Sequence, residues 1–426
     1  MLKKLRKRIV KSILSKNKAR VKFLQDVKIK DKTVLVRVDY NIPLKKVKGK
    51  LKVSDNEKIV AGIPTIKYLL ANNCKIILMS HLGRPNGKSV AGLRLNPVAQ
   101  ELKKLFVKNK IKSKLVKLND CIGPEVQAKV ERGKAEDIFL LENLRFYKEE
   151  EENDYAFAHS LAELAEIYVN DAFAVSHRKH ASVNAVTKFL PSVAGLLLQI
   201  EILNLKRGLV PERPAVWLMG GAKLKKVELL ESALSRADKV LIGGALCFSF
   251  LKAKGIPVGN SLIDYETVKI AKRFLNDKRA KKIILPLDFV CTKKMSAKAK
   301  IHLREYNEIP NDEIALDIGP KTVQLFELHL NKAKTVVWNG PMGYFEYDKF
   351  AKGSKSLAKT IAEITVKNKT FSIAGGGETA AMIKKFKLKN NFTHISTGGG
   401  ASLMFLSGKK LPAIIALEES SGVFVK

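Results

Sequence analysis

The sequence predicts an α/β protein with two Rossmann-like, doubly wound parallel-sheet domains that a single helix joins. Three observations support this prediction. Short β-branched runs alternate with helical patterns along the chain, a Leu-rich helix followed by prolines divides the chain near its middle, and polar or Gly-rich loops follow the strands. Because alternating strands and helices form parallel sheets, we expect ligands where loops leave the carboxyl ends of the strands.

The predicted strands are short apolar runs, each of a length that fits a buried parallel strand. Four precede the Leu-rich helix and five follow it, so each half of the chain can supply one sheet. In chain order they are Val34–Val38, Ile76–Met79, Asp137–Leu141, Ile167–Asn170, Ala215–Met219, Lys239–Ile242, Ile283–Pro286, Thr335–Trp338 and Phe371–Ala374. In the first gap, apolar residues recur at helical spacing, at Ile59, Ile63, Ile66 and Leu70.

The boundary between the two predicted domains falls near residues 190–214. The Leu-rich helix ends at Pro211, Arg213 and Pro214, and a new buried strand follows. Because proline does not continue a helix, these residues mark a junction. We therefore expect two α/β domains of similar size.

The charge of the chain favours anionic partners. Lysine and arginine together number 78, against 41 aspartates and glutamates, so the formal net charge is +37. This balance suits nucleic acid, an acidic membrane surface or phosphorylated metabolites, and does not choose among them. A hydrophobic content of 46% allows a buried core and excludes disorder as the overall state.

Cysteine spacing and hydropathy bear on the compartment. The four cysteines are far apart and form no C-x-x-C pair, which indicates reduced thiols and neither a disulfide frame nor a zinc site. No apolar run approaches the roughly 20 residues that a membrane-spanning helix needs. We expect a cytoplasmic protein without a membrane span.

Residues 1–20 form a basic extension. Leu2, Leu5, Ile9 and Ile13 recur at helical spacing among lysines and arginines, and Lys11 interrupts any apolar centre of a secretory signal. The segment could be an amphipathic helix that contacts RNA or anionic lipid, or simply a solvated helix or tail. An organelle-targeting role is disfavoured because transit peptides prefer Arg and Ser to Lys.

The loops after the predicted strands differ between the two halves. In the first half they carry anion-binding, amide and acidic side chains, which are Asp39, Asn41, His81, Arg84, Arg145 and Arg178. Guanidinium groups bind carboxylate and phosphate bidentately, so this half predicts a site for a small, multiply charged anion. His177 and His180 stand three residues apart, but no third His or Cys ligand is near, so a metal site there is disfavoured.

Gly-rich turns follow the strands of the second half. They lie at Gly220–Lys223, Gly243–Gly244, Asn339–Pro341, Gly375–Thr379 and Gly398–Gly400. Such turns let backbone N–H groups close around phosphate, although any single turn can need glycine for its own geometry. Several in one half, with Lys223 after one of them, suggest a bound nucleotide.

The sequence does not match either of two familiar phosphate-binding motifs. The stretch from Gly83 to Ser89 is one residue short of a Walker loop. Gly375–Ala380 fits the dinucleotide fingerprint, but no acidic residue follows between Thr379 and Ala416 to bind a ribose.

From about Val21 to near its end, the chain resembles the phosphoglycerate kinase family. Six motifs carry the resemblance, in the family's order and spacing: Val34–Pro43, Ser80–Pro85, Leu141–Phe146, Asp317–Thr322, Trp338–Glu346 and Ser396–Ser402. The resemblance implies reversible phosphoryl transfer between 1,3-bisphosphoglycerate and MgADP, giving 3-phosphoglycerate and MgATP. It also implies direct in-line transfer, closure of two lobes about the joining helix to exclude water, and a monomer.

The resemblance implies a role for each motif residue. Phosphoglycerate would be held by Asp39, Asn41, Lys58, His81, Arg84, Arg145 and Arg178. The nucleotide would be held by Gly221, Lys223, Lys226, Gly244, Leu316, Asn339, Pro341, Glu346, Gly375, Gly376, Gly377, Glu378 and Thr379, and Glu378 would bind Mg²⁺. Neutralisation of the transferred phosphoryl group would fall to Lys223, Lys58, Gly399 and Gly400.

The resemblance also assigns a role to each predicted segment. Residues 1–20 are the basic extension, 21–192 the phosphoglycerate-binding domain and 193–212 the interdomain hinge helix. Residues 213–408 form the nucleotide-binding domain, and 409–426 are a C-terminal segment that returns to the N-terminal domain.

Four positions depart from the family pattern. Lys58 replaces an arginine, and so keeps the charge but loses the guanidinium fork. The stretch Gly220–Lys226 is one residue shorter than its counterpart, so either Lys226 or Lys225 could be the second phosphate-binding lysine. Glu378 replaces the magnesium-binding aspartate, and Ala174–Ser176 replaces Gly-Thr-Ala.

These departures leave two hypotheses. The first is an active phosphoglycerate kinase that accommodates Lys58 and Glu378. The second is a non-catalytic descendant that acts as a basic RNA-binding protein. A non-catalytic protein would have no physical need for Lys223, Arg145 and Glu346 together, which favours the hypothesis of an active kinase.

Overall fold

The computed structural model describes residues 20–221 and 227–420. These divide into two compact units: unit 1 comprises residues 20–172, 178–199 and 412–420, and unit 2 comprises residues 173–177 and 200–411 apart from 222–226. The predicted phosphate-binding residues Lys223 and Lys226, and all but the last residue of the basic extension 1–20, lie outside the described residues.

The described residues form strands, α-helices and short 3₁₀ helices. The strands are β1 (Thr33–Arg37), β2 (Leu44–Val47), β3 (Lys50–Val53), β4 (Lys75–Met79), β5 (Leu115–Lys117), β6 (Ile138–Leu140), β7 (Ile167–Asn170), β8 (Ser192–Ala194), β9 (Ala215–Met219), β10 (Lys239–Ile242), β11 (Ile283–Ile284), β12 (Asp288–Thr292), β13 (His302–Glu305), β14 (Ile314–Ile318), β15 (Thr335–Asn339), β16 (Phe371–Gly375) and β17 (His394–Ile395). The α-helices are α1 (Glu57–Leu70), α2 (Asn96–Lys108), α3 (Pro124–Glu131), α4 (Glu149–Glu152), α5 (Tyr155–Ala162), α6 (Leu196–Leu209), α7 (Val227–Arg236), α8 (Gly244–Ala253), α9 (Tyr265–Leu275), α10 (Pro320–Leu330), α11 (Lys352–Lys367), α12 (Gly377–Lys385), α13 (Gly400–Leu406) and α14 (Pro412–Ser420). The 3₁₀ helices are Leu24–Asp26, Ala91–Leu93, Leu144–Phe146, Phe173–Val175, Ala185–Lys188, Lys278–Lys282, Asp348–Phe350 and Lys389–Asn391.

Unit 1 is built on a six-stranded parallel sheet in the order β5-β6-β4-β1-β7-β8. Strand β1 pairs with β4 on one side and with β7 on the other. The strands β4 to β6 therefore lie on one side of β1 and the later strands β7 and β8 on the other, so the strand order reverses at β1. The core contains Val34 and Val36 of β1 with Ile59, Ile63 and Ile66 of α1. A ligand site is expected at such a reversal, beyond the carboxyl ends of the strands.

Unit 2 is built on a second six-stranded parallel sheet in the order β11-β10-β9-β15-β16-β17. The strand order reverses between β9 and β15, in the arrangement of a dinucleotide-binding fold. The two parallel sheets confirm the predicted fold class. Unit 2 also contains a three-stranded antiparallel sheet, β13-β12-β14, and unit 1 a hairpin of β2 and β3, which were not predicted.

The helix predicted to begin at Val193 begins at Leu196, since Ser192–Ala194 pairs with β7 as a strand. The side chain of Asp171 accepts a hydrogen bond from Leu197 N at 2.9 Å and so caps the first turn of α6. In the described part of the chain, no helix has both the length and the apolar character needed to cross a bilayer. All four cysteines are buried and free.

Candidate functional site

Polar side chains gather at the carboxyl ends of the strands of unit 1. Asp39 and Asn41 follow β1, His81 and Arg84 follow β4, Arg145 follows β6, and Arg178 lies in the loop region after β7. Lys58 of α1 donates from Nζ to Asp39 Oδ2 at 2.7 Å and to Asn41 O at 3.1 Å. Gly83 N donates to Asn41 Oδ1 at 3.0 Å. The bond from Gly83 joins the loops after β1 and β4, and the two bonds from Lys58 join α1 to the loop after β1.

Arg145 is almost completely buried, although its side chain is charged. Its Nη1 donates to Gly83 O at 2.8 Å, and its Nη2 lies 3.1 Å from Glu151 Oε1. Arg178 Nη1 lies 4.0 Å from the same carboxylate oxygen. Arg145 Nε is buried without a hydrogen-bond partner among the described residues. A buried guanidinium with an unused donor favours an anionic ligand at this point.

Arg84 differs from the other predicted cations. Its side chain is exposed, and within the described residues no ion pair or hydrogen bond holds it. The structure therefore brings Asp39, Asn41 and Lys58 into contact with one another. It places Arg145 and Arg178 beside the same carboxylate, that of Glu151. Arg84 lies on the same loop as His81, outside both groups of contacts.

Arg37 belongs to the cluster and was missed, because it lies inside the apolar run that predicted β1. It is only 1% exposed, and its Nη2 lies 3.1 Å from His81 Nδ1. Burial and the charges of Arg37, Arg145, Lys58 and Arg178 hold the pKa of His81 well below its ordinary value. The one available signal was a charged residue within a β-branched run.

Asn143 was also missed, and it fixes the loops that carry the cations. Its Oδ1 accepts from Leu82 N at 3.1 Å and from Arg145 N at 3.2 Å. Its Nδ2 donates to Leu82 O at 2.8 Å and to Leu93 O at 2.9 Å. The neighbouring Glu142 is buried and forms ion pairs with Arg94 at 3.2 Å and Lys117 at 3.0 Å. Asn143 and Glu142 together hold the loop after β6 against the loop after β4.

In unit 2, the loops after β9, β10 and β15 interlock through their backbones. Gly221 N donates to Pro341 O at 2.7 Å, and Gly244 N donates to Met342 O at 3.1 Å. A Cβ atom added at Gly340 would lie 2.1 Å from Gly220 O, so no other residue fits there. Part of the glycine pattern is therefore required by loop packing rather than by a ligand.

The turn from β16 into α12 is different. A Cβ atom added at Gly377 would meet nothing within 4 Å, so space is open at the amino end of this helix. Thr379 is buried, accepts from Gly340 N at 2.7 Å and donates to Gly375 O at 2.9 Å. Asn339 Nδ2 donates to Gly375 O at 2.7 Å. Thr379 and Asn339 thus hold the turn, while the positive helix end faces open space, which suits phosphate.

Glu378, Leu316 and Glu346 complete the predicted nucleotide residues. Glu378 is half-buried in the first turn of α12. Leu316 of β14 is partly buried against a small cluster that contains Val290 of β12 and Phe350, which offers an apolar surface. Glu346 is exposed, and its carbonyl accepts from Lys385 Nζ at 3.1 Å.

Glu201 of α6 was missed and holds the strand-end loop before Gly398–Gly400. It is 1% exposed and accepts from Ser396 Oγ at 2.7 Å and from Thr397 N at 2.9 Å. Its Oε2 lies 2.8 Å from His394 Nε2. The one available signal was a single acidic residue in a Leu-rich helix. Within the turn that follows, Gly399 has open space around its Cβ position.

A dedicated metal cage is absent from the described residues: no group of three or more His, Cys, Asp or Glu is placed to hold an ion. His180, one of the two histidines weighed as metal ligands, lies instead beside the buried Glu150, with 3.8 Å between Nδ1 and Oε1. A lone carboxylate such as Glu378 fits a magnesium ion that is held mainly by substrate phosphates.

Comparison with known proteins gives one answer. The phosphoglycerate kinase family model matches residues 24–409. The phosphoglycerate kinase of Dictyoglomus turgidum is 45% identical over 400 residues, covering 93% of this chain and 98% of that protein. The one from Moorella thermoacetica is 44% identical with the same coverage. The solved structure of phosphoglycerate kinase from Coxiella burnetii has a TM-score of 0.83 at 35% identity, covering 94% of this chain and 100% of that one.

Proposed function

Because the chain belongs to the phosphoglycerate kinase family, whose members are phosphotransferases that use ATP and ADP, we propose how its residues divide the reaction between them. The reaction is reversible transfer between 1,3-bisphosphoglycerate and MgADP, giving 3-phosphoglycerate and MgATP. Unit 1 binds the phosphoglycerate and unit 2 binds the nucleotide. The observation that carries this assignment is the buried guanidinium of Arg145, with its unused Nε, at the strand ends of unit 1.

The proposed phosphoglycerate site is the cationic cluster of unit 1. Its ligand would contact Asn41, Lys58, His81, Arg84, Arg145 and Arg178, with Asp39 anchoring Lys58 by the 2.7 Å ion pair. Glu151 lies beside both Arg145 and Arg178, so a bound anion competes with this carboxylate for the two guanidinium groups. Competition of this kind favours a multiply charged ligand over a singly charged one.

The proposed nucleotide site lies at the strand-order reversal of unit 2. Gly221, Gly244, Asn339 and Pro341 form its interlocked base, and the phosphates approach the open amino end of α12 at Gly375–Thr379. Leu316 provides an apolar contact for the base, and Glu346 accepts hydrogen bonds from the ribose. Lys223 and Lys226, proposed to neutralise the phosphates, lie outside the described residues.

Magnesium is proposed to bind at Glu378. The half-buried carboxylate of Glu378 would supply the oxygen that Mg²⁺ prefers, and substrate phosphates and water would supply its other ligands. When bound, the ion neutralises phosphate charge. The longer side chain of Glu, compared with Asp, leaves the ligand atom type unchanged.

The proposed chemistry needs no covalent enzyme intermediate, since an acyl phosphate is already an activated donor. Lys58, Lys223, Gly399 and Gly400 act by neutralising the transferred phosphoryl oxygens while the donor and acceptor oxygens are held in line. The enzyme then works by positioning and charge.

A coupled assay on the full chain tests the proposal. Purified protein receives 3-phosphoglycerate and MgATP, and acyl-phosphate formation is followed as NADH oxidation. We expect turnover that disappears without magnesium. Replacing Arg145 by Lys should raise the KM for 3-phosphoglycerate by at least about tenfold, while the exposed control Arg132→Lys leaves it unchanged. Absence of turnover in folded protein would contradict the proposed function.

The non-catalytic, RNA-binding hypothesis is not favoured, because the family match spans both units. We further propose that residues 21–192 and 213–408 are the two functional domains, that 193–212 is the hinge and that 409–426 belongs with the first domain. The described residues 412–420 lie in unit 1, in support of the last assignment. A cytoplasmic monomer is proposed as well; light scattering after size exclusion, and cell fractionation, test these two points.

A further inference from the structure

A buried chain of hydrogen bonds runs from Glu150 to His81 beneath the cationic cluster of unit 1. Glu150 is completely buried and accepts from Ser182 N at 2.9 Å and from Ser182 Oγ at 2.6 Å. Arg37 Nε lies 2.8 Å from Ser182 Oγ, and Arg37 Nη2 lies 3.1 Å from His81 Nδ1. The chain therefore joins four residues from separate parts of the sequence.

The direction of each bond follows from the chemistry of the groups. A guanidinium has five N–H donors and no acceptor, so Arg37 donates to Ser182 Oγ and to His81 Nδ1. The single hydroxyl proton of Ser182 is then directed to Glu150. His81 Nδ1 must offer a lone pair, and a neutral imidazole with a lone pair on Nδ1 carries its proton on Nε2.

The surroundings of His81 support this tautomer. The charged groups that face the ring are Arg37, Arg145, Lys58 and Arg178, and together with burial they hold its pKa well below the ordinary value. A second proton on the ring would point at the Arg37 guanidinium. Among the described residues, no hydrogen-bond partner faces His81 Nε2, so this N–H is available to a ligand.

We propose that Arg37 is a positioning residue that keeps His81 as a neutral imidazole with its proton on Nε2. His81 then presents a directed hydrogen-bond donor, and not a cation, to an oxygen acceptor of the ligand. Lys58, Arg145 and Arg178 supply the charge, and His81 supplies the direction. The inference rests on the proposed function only in naming the ligand, which is phosphoglycerate; it excludes ligands that place a donor, such as an amine, at this position.

The direct test is nuclear magnetic resonance of the full-length, ligand-free enzyme with ¹⁵N-labelled histidine. A long-range proton–nitrogen correlation spectrum identifies the tautomer, and the His81 signals are assigned by their loss in His81→Gln. We expect a neutral ring with the proton on Nε2 from about pH 5 to about pH 8. A proton on Nδ1, or a doubly protonated ring, would overturn the proposal. No substrate is present, so the result is independent of whether the proposed reaction occurs.

Two substitutions of His81 provide a kinetic test. The amide of Gln reaches the position of Nε2, so its oxygen can accept from Arg37 while its N–H₂ donates to the ligand, whereas the amide of Asn is too short. We expect His81→Gln to keep the KM for 3-phosphoglycerate within about threefold and His81→Asn to raise it at least about tenfold. The reverse order would contradict the proposal. The exposed His159→Gln is the matched control.

Arg37 itself is tested with its buried partner removed. The double variant Arg37→Met, Glu150→Gln avoids leaving an unpaired carboxylate in the interior. We expect the His81 ring to lose its fixed tautomer and the KM to acquire a pH dependence between about pH 5 and about pH 8. The control is Arg132→Met, Glu131→Gln, an exposed pair in the same unit. An unchanged His81 spectrum in the double variant would show that Arg37 does not position the ring; if that variant fails to fold, the spectrum of the unmodified enzyme and the two His81 variants decide.

Discussion

At the residue scale, Lys58 is the sharpest departure from the family pattern, and its contacts predict the effect of reversing it. The Nζ atom of Lys58 donates one hydrogen bond to Asp39 Oδ2 and one to Asn41 O, which leaves one N–H donor for a ligand. An arginine has five N–H donors, so it could keep both anchors and still offer more than one donor to a ligand. We therefore expect Lys58→Arg to keep or raise kcat and Lys58→Met to raise the KM for 3-phosphoglycerate at least about tenfold. Steady-state kinetics checks both, with the exposed Lys67→Arg of the same helix as control. A tenfold fall in Lys58→Arg would mean that the loops have been rebuilt around lysine.

Glu378 gives the second prediction at this scale. Its carboxylate stands in the first turn of α12 beside the open position at Gly377. Loss of the negative charge should weaken the binding of magnesium, whereas shortening the side chain by one methylene should not. We expect Glu378→Gln to raise the magnesium concentration for half-maximal turnover at least about tenfold and Glu378→Asp to change it by less than about threefold. Magnesium titrations at saturating ATP measure both, beside the exposed control Glu363→Gln. Equal magnesium requirements in Glu378→Gln and the unmodified enzyme would remove Glu378 as the proposed ligand.

Individual residues divide into those that sequence can predict and those that it cannot. Asp39, His81 and Arg145 follow strands, and the rule that loops at the carboxyl ends of parallel strands meet was sufficient to group them. Lys58 lies in α1 and was assigned only through the family resemblance. Arg37 and Glu201 lie inside a strand and a helix, where no loop marks them. Their importance comes from burial and from partners more than a hundred positions away, Ser182 and His394, which no local pattern contains.

At the element scale, the loop of β17 and α13 depends on one buried carboxylate of α6. Glu201 accepts bonds from Ser396, Thr397 and His394, and no other acceptor on α6 replaces it among the described residues. Removal leaves buried donors without partners, which costs about 1–3 kcal/mol each. We expect Glu201→Ala to speed hydrogen exchange of the amides at 396–402 while exchange in β1 and β4 is unchanged. The exposed Glu212→Ala is the control. Unchanged protection of 396–402 would show that loop packing alone holds this segment.

The elements that sequence reasoning missed share physical features. β2 and β3 form a hairpin whose lysines are exposed and whose Leu and Val residues are only partly buried, and β13 is similarly polar. Such strands gain their stability from a partner strand rather than from burial, so a search for buried apolar runs passes over them. β5 and β17 pair at sheet edges and have only three and two residues. A two-residue strand is defined by its neighbour, not by its own sequence.

At the scale of the whole molecule, the alternation of strands and helices was sufficient to predict two parallel sheets. The predicted strands recur in the structure, three with the predicted ends and the others with ends shifted by a residue or two. Except for the two-residue, partly buried β11, they are largely buried runs that are long enough to be distinguished from a turn. The strand order within each sheet was not accessible from the pattern. It depends on which crossovers bury the most apolar surface, and that is a property of the folded unit.

The pH dependence of stability is a prediction for the whole chain, because it sums groups from both units. Burial raises the pKa of Asp317 to about 8 and that of Asp171 to about 6, above the ordinary 3.8. A folded-state pKa above the unfolded one means that the folded state binds the proton more tightly, so the free energy of unfolding falls as pH rises from about 4 toward 8. We expect the urea midpoint of the unmodified chain to fall over this range relative to that of Asp317→Asn. The control, Asp312→Asn, should run parallel to the unmodified chain over this range, because Lys293 lies 2.7 Å from the exposed Asp312 and lowers its pKa, so its contribution to stability is lost only as pH falls below about 4. If the urea midpoints of Asp317→Asn and the unmodified chain change in parallel with pH, Asp317 is ionised throughout. The hydrogen bonds that its carboxylate accepts from Gly353 N at 2.8 Å and from Ile318 N at 3.0 Å would then outweigh the effect of burial on its pKa.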